Sequence, residues 1–233
     1  MDWARATAEM VVRRVIREAG SESATPSDDS LFPLDPLAVA RIFDIQVEGV
    51  GSLGLDPKGH EVWAKAFPRE KQIKYRLPDD KEPGEIVRWR YTMAHELGHV
   101  MLHGELAMGR GMPPSGNRPL YRSERKPRRW DSLELDANTF AACVLMPTDQ
   151  FRHAFRTRFG ADAVAAARIF SLCGETPPTR ILHEGSREGY VIAARELAAS
   201  VSPRGEHPPL TEKFGVGRTA CGRRIGEIQA VLG

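Results

Sequence analysis

The sequence predicts an α+β fold: a short antiparallel sheet, then a pair of helices, with a mainly helical region behind them. Three observations predict it. Short strand-like runs at 45–50, 60–67 and 71–76 lie between turn residues. Two longer runs, around 86–103 and 131–147, repeat their apolar residues at helical spacing. Beyond Pro147 the chain turns to helical segments rich in Ala and Arg. Strands followed by a helix pair place the protein in the α+β class. The chain is expected to divide into an N-terminal helix and linker (1–30), an α+β domain (31–150) and a C-terminal helical region (151–233). With 233 residues, 41% hydrophobic and 27% charged, it is long enough for one good core and a smaller unit.

In chain order, residues 3–19 read as an amphipathic helix with Trp3, Met10, Val11 and Val15 among its apolar positions, and Ser21 to Ser30 as a polar linker. A helix near 36–43 precedes the first strand. Ile86, Trp89, Met93, Ala94, Leu97, Val100 and Met101 then form one helical stripe, with Pro83-Gly84 and Gly104 as its expected ends. The next helix opens on Asp131 or Ser132 and stops near Pro147. Its small Ala137, Ala141 and Ala142 would let it approach the preceding helix closely. Helices are expected at Asp149–Phe159 and Asp162–Leu172, followed by an irregular stretch from Gly174, while Tyr190–Leu197 is open between strand and helix. Residues 208–232 resemble a helix-turn-helix: a short helix ending at Phe214, a turn at Gly215, and a second helix from Arg218 with Ala220, Ile225 and Ile228 inward. Arg218, Arg223 and Arg224 would then be free to touch phosphates.

A net charge of +2 gives no global pull toward nucleic acid. Residues 118–129 do carry a dense run of arginines, read as a solvated loop or as a lid that recruits an acidic partner or a phosphate backbone. Cys143, Cys173 and Cys221 are odd in number and far apart, which argues against a disulfide framework and for a reducing compartment. The N-terminus lacks a signal peptide's apolar core and no run is long enough to span a membrane, so a cytoplasmic protein is expected.

The chemistry is concentrated in His95-Glu96-Leu97-Gly98-His99. On a helix, residues i and i+4 share a face, so the two imidazoles converge on one point with Glu96 beside them. Zinc fits that point, held by nitrogen or carboxylate ligands, and Glu96 would be the base that takes a proton from water as it attacks a carbonyl. The third ligand is open on spacing alone. His103 lies a further turn along, where it suits support of the ligands or of a helix end better than ligation. Glu134 and Asn138 share one face of the next helix, which suits a carboxylate ligand with a polar neighbour that hydrogen-bonds a ligating histidine. Asp136 is the rival carboxylate, about 200° around that helix from Glu134.

HELGH followed by Glu-Leu-Asp-Ala-Asn-Thr-Phe-Ala-Ala-Cys-Val-Leu-Met-Pro resembles the ImmA/IrrE zinc metallopeptidases, and Pro33–Val47 is similar to the helix and strand that open their domains. The resemblance covers roughly residues 30–150. It implies a small zincin-like domain in which His95, His99 and Glu134 match the Zn2+ ligands and Glu96 the catalytic base. Two departures from the pattern stand out: Asp136 stands where the family usually has Glu, and Cys143-Val144 replaces a polar residue and Leu. In such peptidases an edge strand holds the substrate backbone, for which His60–Phe67 is the candidate. The function implied is a zinc endopeptidase that cleaves an intracellular regulatory protein, commonly a DNA-binding repressor. The alternative is a DNA-binding regulator or toxin-antitoxin-type binding protein with a structural or sensory zinc site. Glu96 favours the peptidase, because a purely structural site needs no base.

Overall fold

A computed structural model describes residues 3–18, 32–56, 59–79, 82–108, 129–177, 186–203, 205 and 207–233. The linker and the arginine-rich run at 118–129 fall almost wholly outside these residues, Arg129 alone entering a helix. The described residues of 1–22 and 34–145 form one compact unit, and those of 23–33 and 146–233 form a second.

The first unit opens with α1 (Trp3–Glu18) and α2 (Pro36–Ile42). Trp3 and Met10 are exposed; the face that α1 buries is Ala4, Thr7, Ala8, Val11, Val12 and Val15, smaller side chains that suit close packing on its neighbours. Helix α2 starts where Asp35 accepts a hydrogen bond from the Leu37 N–H and Pro36 occupies the first turn, a strong start signal.

Three strands follow: β1 (Gln46–Val50), β2 (Ala64–Phe67) and β3 (Gln72–Arg76). The sheet order is β1-β3-β2, with β2 antiparallel to β3 but β1 parallel to it, so the sheet is mixed rather than wholly antiparallel. The reason is topological. The β1–β2 loop reverses the chain, the 68–71 turn reverses it again, and β3 then enters between its predecessors. Strand β2 is shorter than the 60–67 run, and upstream of it the outer edge is already taken: the Val62 N–H donates to the Gly54 carbonyl at 3.0 Å.

Helix α3 (Pro83–Met108) and helix α4 (Arg129–Leu145) complete the unit and pack on each other. Met93, Ala94 and Leu97 of α3 and Ala137, Phe140, Ala141, Val144 and Leu145 of α4 are fully buried. Gly104 does not end α3, which continues one further turn; a Cβ there would meet the Pro68 carbonyl oxygen only in ordinary contact, at 3.4 Å. A single interior glycine lowers helix propensity by about 1 kcal/mol, which does not by itself end a helix.

The second unit contains α5 (Thr148–Phe159), β4 (Val164–Ala165), α6 (Ala166–Leu172), α7 (Arg187–Ser200), α8 (Leu210–Phe214), α9 (Arg218–Glu227) and β5 (Val231–Leu232). The segment expected to be helical from Asp162 becomes helical only at Ala166; Val164–Ala165 before it form β4, which pairs in parallel with β5. The open case at 190–197 is settled as helix, with Ser186 capping α7 through the Gly189 N–H. Gly215 adopts a left-handed conformation between α8 and α9, as the turn requires. Arg224 is a correction to the phosphate-contact reading. It is 0% exposed, bonded through Nε to the Met146 carbonyl and through its terminal nitrogens to Thr148 and Glu227, so only Arg218 and Arg223 of that trio face solvent.

Candidate metal centre

The centre rests on two helices of the first unit. His95 and His99 lie one turn apart on α3 and their Nε2 atoms stand 3.1 Å apart, with the rings edge to face. From α4, the Glu134 carboxylate reaches across so that Oε2 is 3.2 Å from His95 Nε2 and Oε1 is 3.3 Å from His99 Nε2. His95, His99 and Glu134 thus form a group whose ligand atoms all lie within 4.8 Å of one another. Asp136, the rival carboxylate, is outside this group.

These separations test whether a metal fits. A tetrahedral zinc with bonds of about 2.0–2.1 Å holds its ligand atoms ~3.3 Å apart. The two ring nitrogens stand 3.1 Å apart and each has one oxygen of the Glu134 carboxylate within 3.3 Å, with His99 fully buried, a spacing at which the three groups can share one cation. The donor set is also chemically suited to zinc. Burial pushes Glu134 up, but the two imidazoles beside it outweigh that and hold its pKa at about 2, so it is a carboxylate ready to accept a cation.

The close approach of the helices has a local cause. A Cβ at Gly98 would lie 3.0 Å from the Ala137 Cα, 3.2 Å from its carbonyl oxygen and 3.1 Å from Phe140 Cδ1. Gly98 therefore allows α4 to come near enough for Glu134 to reach both histidines. Sequence reasoning placed the small residues on α4 but missed their counterpart on α3; a glycine in mid-helix was the available signal.

Glu96 sits beside the group, 5% exposed, and its Oε2 has no hydrogen-bond partner among the described residues. Burial raises its pKa, partly offset by His95, His99 and a backbone hydrogen bond from Ala66, while the Glu134 charge adds to the rise. That bond ties the carboxylate to β2, a link the sequence did not signal. Asn138 donates to the Glu134 carbonyl at 2.8 Å, one turn back on its own helix, rather than to a histidine ring. His103 is 1% exposed, with Nδ1 3.1 Å from His99 Nδ1. Burial lowers its pKa to about 4, with His99 contributing, so its ring is neutral at physiological pH.

Two histidines one turn apart, a glutamate from a second helix and a buried glutamate beside them make an HExxH-plus-Glu site of the zincin type. Residues 87–171 match a peptidase family described as IrrE N-terminal-like domain, which supports the ImmA/IrrE-type metallopeptidase family. The matched segment contains both ligand-bearing stretches but not the sheet, so the similarity noted at Pro33–Val47 lies outside it. No curated protein matches the chain. Among the described residues no helix is long and apolar enough to cross a membrane.

Proposed function

We propose that this protein is a cytoplasmic zinc endopeptidase that cleaves a regulatory protein, with a DNA-binding repressor as the substrate class. The observation that carries the reading is the convergence of His95, His99 and Glu134 on one point, with an unpartnered Glu96 carboxylate oxygen beside it. His95, His99 and Glu134 would hold the zinc; the ion supplies Lewis-acid polarisation of a carbonyl and a more acidic water. Glu96 is the proton acceptor and donor. A raised pKa makes its carboxylate a better base than a solvated one, and its orphaned oxygen is free to take a proton and pass it to the leaving amine. Its burial keeps bulk water from competing for that proton.

Strand β2 supplies the substrate's place. The Arg76 N–H donates to the Trp63 carbonyl, which fixes the phase of the ladder and turns the backbone groups of Ala64 and Ala66 to the open edge. With the Ala66 N–H engaged by Glu96, the Ala64 N–H and carbonyl and the Ala66 carbonyl are left to pair with an extended peptide. The groove is narrower than the 60–67 run, because the β1–β2 loop occupies the edge at Val62.

The test is to incubate the zinc-loaded wild type and Glu96→Gln with a repressor-type protein encoded beside it, following that protein by intact mass. Fragments with wild type alone support the reading. Cleavage that persists in Glu96→Gln, or after chelation, overturns it.

A further inference from the structure

The geometry points to His103 as the positioning residue that fixes His99 in the tautomer able to ligate metal. This inference rests on the metal-centre reading above and adds what holds one of its ligands ready. His99 Nδ1 and His103 Nδ1 are 3.1 Å apart in a fully buried setting, so one of the two must donate and the other accept. If His99 is the donor, its proton is on Nδ1 and its Nε2 carries a bare lone pair aimed at His95 and Glu134. If His103 is the donor, the His99 proton moves to Nε2 and the ligand position is blocked. Ligation therefore requires His103 to accept, which leaves the His103 proton on Nε2.

That Nε2 is buried without a hydrogen-bond partner among the described residues. A polar atom so placed contributes nothing to folding and is costly to bury. Its retention is accounted for by the other end of the ring. A histidine in this place offers an acceptor at the Nδ1 position, one helical turn from His99, and its ring lies against the ligand's ring with centroids 5.2 Å apart. Outer hydrogen-bond partners of this kind set ring orientation and tautomer at metal sites.

The experiment compares zinc affinity, by competition with a chromogenic chelator, for the full-length wild type, His103→Asn and His103→Phe. Asparagine keeps an acceptor where Nδ1 was; phenylalanine keeps the bulk and removes it. Phenylalanine is expected to weaken zinc binding about 10–100-fold and asparagine to recover most of that loss. Equal affinity in all three, or equal weakening in both variants, overturns the inference and leaves His103 a packing residue. A second readout does not depend on the variants folding: 15N-detected imidazole spectra of the zinc-loaded wild type should show His99 protonated on Nδ1 and His103 on Nε2. His103 protonated on Nδ1 overturns the assignment. Failure of the metal centre itself is separately visible, because then wild type and Glu134→Gln would take up equally little zinc.

Discussion

The two units each bury a charged centre, and the two centres are built on opposite principles. In the second unit, Arg224 is wholly enclosed and its guanidinium is answered: the Met146 carbonyl at 3.0 Å, Thr148 at 2.8 Å and Glu227 at 2.9 Å. In the first unit, His95, His99 and Glu134 point their ligand atoms at one another, while Glu96 Oε2 has no partner among the described residues. A buried charge that is satisfied belongs to the fold. A buried group of acceptors that converge and remain short of donors is organised for something that arrives, here a cation and a proton.

The largest expected effect separates the two directly. Arg224→Met removes a buried cation and strands the Met146 carbonyl, so urea denaturation should show a loss of about 3–5 kcal/mol. A loss below about 1 kcal/mol would mean that the enclosed arginine is not structural, and the contrast would fail. Acid should act on the other centre. His103 is held at about 4 by burial and by His99, against an ordinary value near 6.5 in the unfolded chain. Between those values the unfolded chain binds the proton and the folded one does not. Stability of the metal-free protein should therefore fall as the pH drops from 6.5 toward 4, by up to about 3 kcal/mol, and be insensitive to this group above that window. Melting curves at pH 7.5, 6 and 4.5 would read it, and His103→Phe should flatten the profile.

A smaller effect should have the opposite sign to that of Arg224. Glu96→Leu removes a buried carboxylate with an orphaned oxygen, at the cost of the Ala66 hydrogen bond. The metal-free variant should be as stable as wild type or more stable by about 1–2 kcal/mol, the usual relation between an active-site group and the fold that carries it. Denaturation showing a loss above about 1 kcal/mol would class Glu96 with Arg224.

Much of this was legible in the sequence, for identifiable reasons. The HELGH spacing places both imidazoles on one face whatever the surroundings, and Glu134 lies on a helix whose alanines announce close packing. Gly104 misled because a glycine ends a helix where it turns left-handed, whereas α3 runs on through this one to Met108. Asp162–Ala165 misled because β4 exists only through its pairing with β5, distant in sequence. Arg224 misled for the same reason: on spacing it is one of three basic residues, and only the three partners it finds show that it faces inward. The hydrogen bond from Ala66 to Glu96 involves a backbone group, which no residue type reports.

Glycines at helix contacts give the finest version of the contrast, because one substitution should have opposite signs in the two units. Replacing a glycine inside a helix by alanine gains up to about 1 kcal/mol of helix propensity, and less at Gly226, the last residue but one of α9. At Gly98 that gain meets backbone: the new Cβ would press on the Ala137 Cα at 3.0 Å and its carbonyl at 3.2 Å, neither of which can turn aside. Helix α4 must yield by a few tenths of an ångström, and overpacking of this kind costs about 1–3 kcal/mol. Because metal–ligand distances tolerate only about 0.2 Å, Gly98→Ala should lose zinc affinity more sharply than stability. At Gly226 the new Cβ would be closer still, 2.8 Å from Arg195 Cζ, but that atom belongs to the far end of a flexible side chain that can swing away. Gly226→Ala should then be neutral or stabilising by up to about 1 kcal/mol. Chemical denaturation of both variants beside their zinc affinities decides the point: equal losses in the two would show that the nearest distance governs, whereas a loss at Gly98 alone would show that what matters is whether the atom met can move.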